Sequence, residues 1–333
     1  MGTCCSNEIK DQLDKKEANL RLIKGSEEVR EYYGKQKVTT EFLSRDFDLF
    51  KETAEKIRCE NEITDQLYDQ NRPYNYDTPP TTKGLELREY QVVENDAKYY
   101  GFWNPKTGER EGCGVMIWQD GSRYDGMWSK NRANGHGRLI HADGDIYEGN
   151  WVDDKASGHG VYYHQDGAIY DGEWLDDKQH GHGCESWPDN SKYEGEYYNG
   201  LKQGKGKFRW ADGSEYEGKF ANNNIHGFGI YKWADGRIYE GQWKDNQMHG
   251  TGTFMWPDCK KYVGEYVEDK KHGKGVLRWP DGRKYNGEWA NGKQNGKGYY
   301  RNADGVVQYA LWENGRRVQQ LDNEDEQDTS DVN

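Results

Sequence analysis

The sequence predicts a mainly β chain: an elongated single-layer stack of about nine to ten antiparallel β-hairpins behind an N-terminal α-helical segment. Three observations carry this. A string of the form Tyr-x-Gly-x-aromatic begins at Tyr124, Tyr147, Tyr170, Tyr193, Tyr216, Tyr239, Tyr262 and Tyr285, always 23 residues apart. The 333 residues hold 42 Gly, 25 Tyr and 13 Trp but only 7 Pro, with hydrophobic residues at 33%. Such a chain is short of aliphatic side chains for an ordinary core, yet too aromatic for wholesale disorder. It also lacks the glycine period and proline content of collagen. Finally, Asp-Gly pairs close strand-like runs at Asp143-Gly144, Asp166-Gly167, Asp212-Gly213, Asp235-Gly236, Asp281-Gly282 and Asp304-Gly305, where a two-residue hairpin turn is expected to need positive φ.

Five segments follow in order. Residues 1–6, Met1-Gly2-Thr3-Cys4-Cys5-Ser6, fit the acceptor pattern for N-myristoylation of Gly2. One myristoyl chain holds a membrane weakly, so stable attachment needs a second signal. Cys4 and Cys5 supply it as palmitoylation sites. Residues 7–70 form the helical segment. Ile9, Leu13, Leu20 and Ile23 sit near helical spacing up to Gly25, and a stronger helix runs from Thr40 to about Gln70. In that helix Leu43, Phe47, Phe50, Ala54 and Ile57 make one apolar stripe, which packs on the repeats or on a partner helix. Residues 71–98 are a linker with Pro73, Pro79 and Pro80, ending in a worn half-repeat, Leu85-Glu86-Leu87 with Asn95-Asp96. Residues 319–333 are an acidic, disordered tail. No run approaches 18 apolar residues, so no transmembrane helix is expected. Six Cys without a secretory signal point to reduced thiols in the cytosol.

Residues 99–318 are the repeat array. In a strand, residues two apart share a face, so Tyr239, Gly241 and Trp243 point one way while Glu240 and Gln242 point the other. Glycine leaves a gap on that face, and a ring of the neighbouring rung is expected to lie across it. The repeat-packing set is therefore Tyr124, Gly126, Trp128, Tyr147, Gly149, Trp151, Tyr170, Gly172, Trp174, Tyr239, Gly241, Trp243, Tyr285, Gly287 and Trp289. A six-residue polar loop is expected after each aromatic, then Gly-x-Gly and a second strand. One further copy begins at Tyr99 with two inserted residues, and a last, worn copy has Gln308 and Ala310 beside Trp312. The pattern resembles the MORN repeat (membrane occupation and recognition nexus) over about residues 99–315. That resemblance implies an elongated hairpin stack and a scaffolding role at membranes, cilia, junctions or the cytoskeleton. Some members of the family carry a lipid kinase or methyltransferase domain; the ~100 residues outside the array are too few and too helix-like for either.

No nucleophile–base pair stands out, so the chain is read as non-enzymatic, with no cofactor and no metal. His180, His226, His249 and His272 share one column and His136, His159 and His182 another, but rungs ~10 Å apart cannot share a metal whose ligands lie at ~2.1 Å. The acidic column Asp125, Glu148, Asp171, Glu194, Glu217 and Glu240 reads as a solvated face. A net charge of −13 excludes general nucleic-acid binding. Charge is uneven, at net −9 over residues 99–196, +7 over 197–318 and −6 over 319–333. The partners expected are cytoskeletal or membrane-associated proteins, a membrane reached through acyl chains, anionic lipid, and a second copy in a weak antiparallel homodimer. The expected location is the cytoplasmic face of the plasma or ciliary membrane. The alternatives are a cytoskeletal or axonemal spacer and a phosphoinositide-binding regulatory module.

Overall fold

The computed structural model describes residues 45–71, 73–76 and 84–322. Gly2, Cys4, Cys5, the 7–24 helix, Thr40, Leu43 and most of the acidic tail lie outside the described residues. Among the described residues two helices, α1 (Arg45–Ala54) and α2 (Glu62–Gln70), precede twenty-one strands, β1 (Glu86–Val92) to β21 (Arg316–Gln320), paired antiparallel. The chain forms two compact units, the first ending at Asp177 and the second starting at Lys178.

In the first unit, β1 pairs with β2 (Lys98–Trp103), so the worn half-repeat is a strand of the sheet. β3 (Arg110–Ile117) and β4 (Arg123–Ser129) follow in meander order, each pairing with the strand before it. The single helix expected to about Gln70 is interrupted between Ala54 and Glu62. Asn61 caps α2, its side-chain oxygen accepting the Thr64 N–H at 3.1 Å. Glu60 just before it sits at φ +60°, which no helix continues through. The apolar stripe packs on the sheet. Phe47, Phe50, Ala54 and Ile57 meet Tyr100, Phe102, Cys113, Val115 and Ile117. Tyr99, Trp103, Met116, Tyr124 and Trp128 form a separate cluster from the alternate positions of the same strands.

The repeat of the second unit is seen in β14 (Ile238–Lys244) and β15 (Gln247–Met255). Here the turns depart from expectation. The supposed six-residue loop is mostly strand, closed by a two-residue turn at Asp245 (φ +49°) and Asn246 (φ +68°). The Asp-Gly turn is instead a three-residue connection. Gly236 donates to the Trp233 carbonyl at 3.0 Å, Trp233 donates to the Arg237 carbonyl at 2.9 Å, and only Gly236 has positive φ, at +88°. Asp235 is there for its carboxylate, which accepts the Arg237 N–H two residues on. Asp212, Asp258 and Asp281 do the same for Ser214, Lys260 and Arg283. Cys259 occupies the glycine place at φ +67°. At the C-terminal end β20 (Val307–Glu313) pairs with β21. That last strand takes in Gln319 and Gln320, which the sequence reading assigned to the tail.

Candidate functional site

The repeat tyrosines anchor the rungs up to the worn last copy, where Gln308 stands in their place. Tyr124, Tyr147, Tyr170, Tyr239 and Tyr285 are at most 2% exposed, and Trp128, Trp151, Trp243 and Trp289 are buried beside them, while Trp174 is half-buried. Each tyrosine hydroxyl donates to the backbone carbonyl three residues on, as Tyr239 does to Gln242 at 2.9 Å. The rings of Tyr124, Tyr147, Tyr239 and Tyr285 each sit edge-to-face with two aromatics, and the Tyr170 ring sits edge-to-face with Trp174. Tyr239 meets Trp243 at 5.0 Å and Tyr266 of the next repeat at 5.2 Å, at 88° and 83°. Such pairs contribute ~0.5–1.5 kcal/mol beyond their burial. The ring that lies over the glycines is not the neighbour's, as expected, but the repeat's own. A Cβ on Gly241 would lie 2.6 Å from both the Tyr239 hydroxyl and the Gly252 Cα, and one on Gly252 would meet the Tyr239 ring. The facing glycines let two backbones and one tyrosine share that space. Gly126, Gly149 and Gly287 sit in the same tight contact, and Gly172 is buried opposite Gly160.

Beside this buried column the second unit carries an aromatic trench that sequence reasoning did not single out. Trp187, Phe208, Trp210, Tyr231, Trp233, Phe254 and Trp256 form one chain of rings with centroids 4.4–5.5 Å apart. All but Phe254 are half-buried. The available signal was a second 23-residue period: Trp187, Trp210, Trp233, Trp256 and Trp279 each precede an Asp turn. In the first unit that column reads Trp118, His141, His164.

Cations lie over the trench. Lys202 stands 5.0 Å from the Trp187 ring, 5.1 Å from Tyr193 and 5.5 Å from Tyr197, with its charge met by Glu185 at 2.6 Å. Lys271 occupies the equivalent place three repeats on, over Trp256, Tyr262 and Trp289 at 5.1–5.3 Å. Where the first lysine has Glu185, this one has Phe254, and no carboxylate among the described residues lies within ion-pair distance of it. Partial burial, and Lys260 close by over the same Trp256, hold the Lys271 ammonium below its ordinary pKa.

In the first unit two members of the row just before the repeat tyrosines, Arg123 and Ile146, are covered by the chain's own helical segment. Arg123 is fully buried and pairs with Asp125, itself 1% exposed, at 2.6 and 2.8 Å. It also donates to the carbonyls of Ala54, the last residue of α1, and of Ile57 beyond it, and stacks 3.6 Å from the Tyr68 ring. The Tyr76 hydroxyl donates to Asp125, and Tyr74 hydrogen-bonds His136 at 2.7 Å. Asp125 thus belongs to a buried clamp, not to the solvated acidic face expected of its column. Glu148 is likewise taken, by Arg138 at 2.9 Å. Among the described residues no three His, Cys, Asp or Glu side chains converge in a metal-binding group.

The MORN repeat pattern matches nine stretches: residues 106–123, 124–146, 147–169, 170–192, 193–215, 216–236, 239–258, 262–282 and 285–307. Together they make up more than half of the chain. The chain belongs to the MORN-repeat family. No curated protein matches it at a significant level. Among solved structures, the MORN array is similar to the TCP10 domain of Danio rerio CPAP in complex with a STIL peptide, at 11% identity and TM-score 0.38, covering 70% of this chain and 98% of that one. It is also similar to the Drosophila melanogaster SAS-4 TCP domain in complex with a proline-rich motif of Ana2, at 15% identity and TM-score 0.20, covering 66% and 99%. Virginiamycin B lyase from Staphylococcus aureus follows at 10% and 0.15, covering 70% and 87%. Overlaps this low carry no argument about the function of the MORN array.

Proposed function

We propose that the chain is a non-catalytic scaffold that binds an extended, acidic segment of a protein partner along the aromatic trench of its second unit. The observation that carries this is Lys271: a half-buried cation over three rings, without the carboxylate that its counterpart Lys202 receives from Glu185. A partner carboxylate at Lys271 would complete the same arrangement, with apolar side chains of the segment lying on Tyr231, Trp233 and Trp256. Half-buried rings and desolvated cations of this kind anchor recognition surfaces. The scaffold is tethered to the cytoplasmic face of a membrane through myristoyl-Gly2 and palmitoylated Cys4 and Cys5, a reading supported by the Met1–Ser6 pattern.

Proteins recovered from the native cell with the full-length chain, quantified against Trp233→Ala and Lys271→Glu variants, test the trench. The same partners should drop out of both variants and persist with Lys130→Glu, an exposed lysine of the first unit. Partners unaffected by either trench substitution would overturn the reading. Fractionation tests the tether. Gly2→Ala should move the chain from membranes to the soluble fraction, whereas retention in a detergent-resistant cytoskeletal fraction would support a spacer instead.

A further inference from the structure

On the strand positions that alternate with the buried tyrosines, the end of the second unit carries four cations in direct cross-strand register. They lie on β16 (Lys261–Val267), β17 (Lys270–Arg278), β18 (Lys284–Ala290) and β19 (Lys293–Arg301). Lys261 faces Arg278, Arg278 faces Lys284, and Lys284 faces Arg301. Like charges directly opposite each other in a sheet repel. No carboxylate among the described residues lies within ion-pair distance of any of the four, and Lys284 instead stands 5.3 Å over the Tyr299 ring. The neighbouring row, Val263, Val276, Asn286, Tyr299 and Tyr309, carries no charge at all. Earlier in the same unit the equivalent ladder alternates instead. Lys192, Arg209, Glu215 and Lys232 are in register there, with Glu215 3.4 Å from Arg209 and 3.6 Å from Lys207. The same position in the first unit is Arg123, which is fully satisfied by Asp125 and by the carbonyls of a segment of this chain.

We propose that the Lys261–Arg278–Lys284–Arg301 ladder is a docking strip for the chain's own acidic end, residues 322–333. That stretch holds Asp322, Glu324, Asp325, Glu326, Asp328 and Asp331 and no basic residue. The described chain reaches Asp322 beside the strip, since the Leu321 N–H donates to the Tyr309 carbonyl at 2.9 Å, and the Tyr309 ring packs 5.6 Å from Tyr299. Eleven further residues reach up to ~36 Å when extended. The five strand spacings from β21 back to β16 amount to only ~24 Å. The tail is therefore long enough to span the whole ladder, with six carboxylates for four cations. Its attachment holds it near the strip at an effective concentration that a free anionic competitor must exceed. The second unit then has a resident cover on this face, as the first has in residues 45–76.

The test uses the full chain in two forms: wild type, and a neutral-tail variant with Asp322→Asn, Glu324→Gln, Asp325→Asn, Glu326→Gln, Asp328→Asn and Asp331→Asn. The probe is a fluorescent synthetic peptide of residues 319–333. It should bind the neutral-tail chain at least ~10-fold more tightly than wild type, whose own tail competes. That binding should disappear in high salt and when Arg278→Gln and Lys284→Gln are added to the neutral-tail chain. Equal binding to both forms, or none to either, overturns the proposal. So does a neutral-tail chain that takes up phosphatidylserine–phosphatidylcholine vesicles but not the peptide, because the strip would then serve a lipid surface.

Discussion

The two units share one buried column and differ in everything laid beside it. In the first, α1 and α2 cover part of one face: Tyr68 lies on Ile140 and Ile146, and Arg123 is enclosed between Asp125 and the carbonyls of Ala54 and Ile57 at the end of α1. In the second, the same row holds Lys192, Glu215, Ile238, Lys261, Lys284 and Val307, all half-buried or exposed. On the other face the column of Trp118, His141 and His164 gives way to five tryptophans, Trp187 to Trp279, and a trench. The difference shows that the tyrosine–glycine column builds the sheet without dictating what the sheet touches. Function is written in the positions that vary from rung to rung.

The comparison makes Arg123→Ala the most damaging single change. It leaves Asp125 buried without its cation, which typically costs ~3–5 kcal/mol, and frees the carbonyls that hold α1. Hydrogen exchange should speed up across residues 45–76 and β4 while residues 190–320 keep their protection. Faster exchange throughout both units would contradict the separation drawn here.

Because the column is common to both units, Gly149→Val and Gly241→Val should cost nearly the same, ~2–4 kcal/mol each, through overpacking against the facing glycine backbone and the repeat's own tyrosine. Thermal melting of the two variants measures this, and an unchanged midpoint in either would remove the shared-column argument. A smaller loss, ~1–2 kcal/mol, is expected for Asn246→Ala, which gives up the side-chain bond to the Ile225 N–H at 2.8 Å and puts a Cβ residue without a polar side chain at φ +68°. Cys259→Gly should do the reverse. Relief of positive φ at a turn confined to the second unit should raise stability by ~0.5–1 kcal/mol, seen as a higher denaturant midpoint. A lower midpoint would mean that the cysteine side chain matters more than the turn.

The period of 23 made the rungs and their buried face legible, because a strict Tyr-x-Gly-x-aromatic spacing leaves only one way for side chains to alternate. Turn types were less legible. Asp followed by Gly suits either a two-residue or a three-residue turn, and the choice depends on Asp235 accepting from Arg237 and on where the strands stop pairing. Asp125 was misread for a related reason. Its column is solvated in most rungs, and only the return of residues 54–76 over β4 buries this member. The trench had a sequence signal in its repeated tryptophan. What that signal lacked was the geometry that sets Lys271 over three rings without a carboxylate, which brings together residues 9 to 18 positions apart in the sequence.

The most direct measurement places an aromatic photo-crosslinking amino acid, which keeps a ring in the trench, at position 233, or at position 164, the same place in the first unit, in the full-length chain in its native cell. The account predicts crosslinks to a partner protein from position 233, lost on Lys271→Glu, and none to that partner from position 164. Equal crosslinking from both positions, or crosslinks at 233 that survive Lys271→Glu, would contradict it.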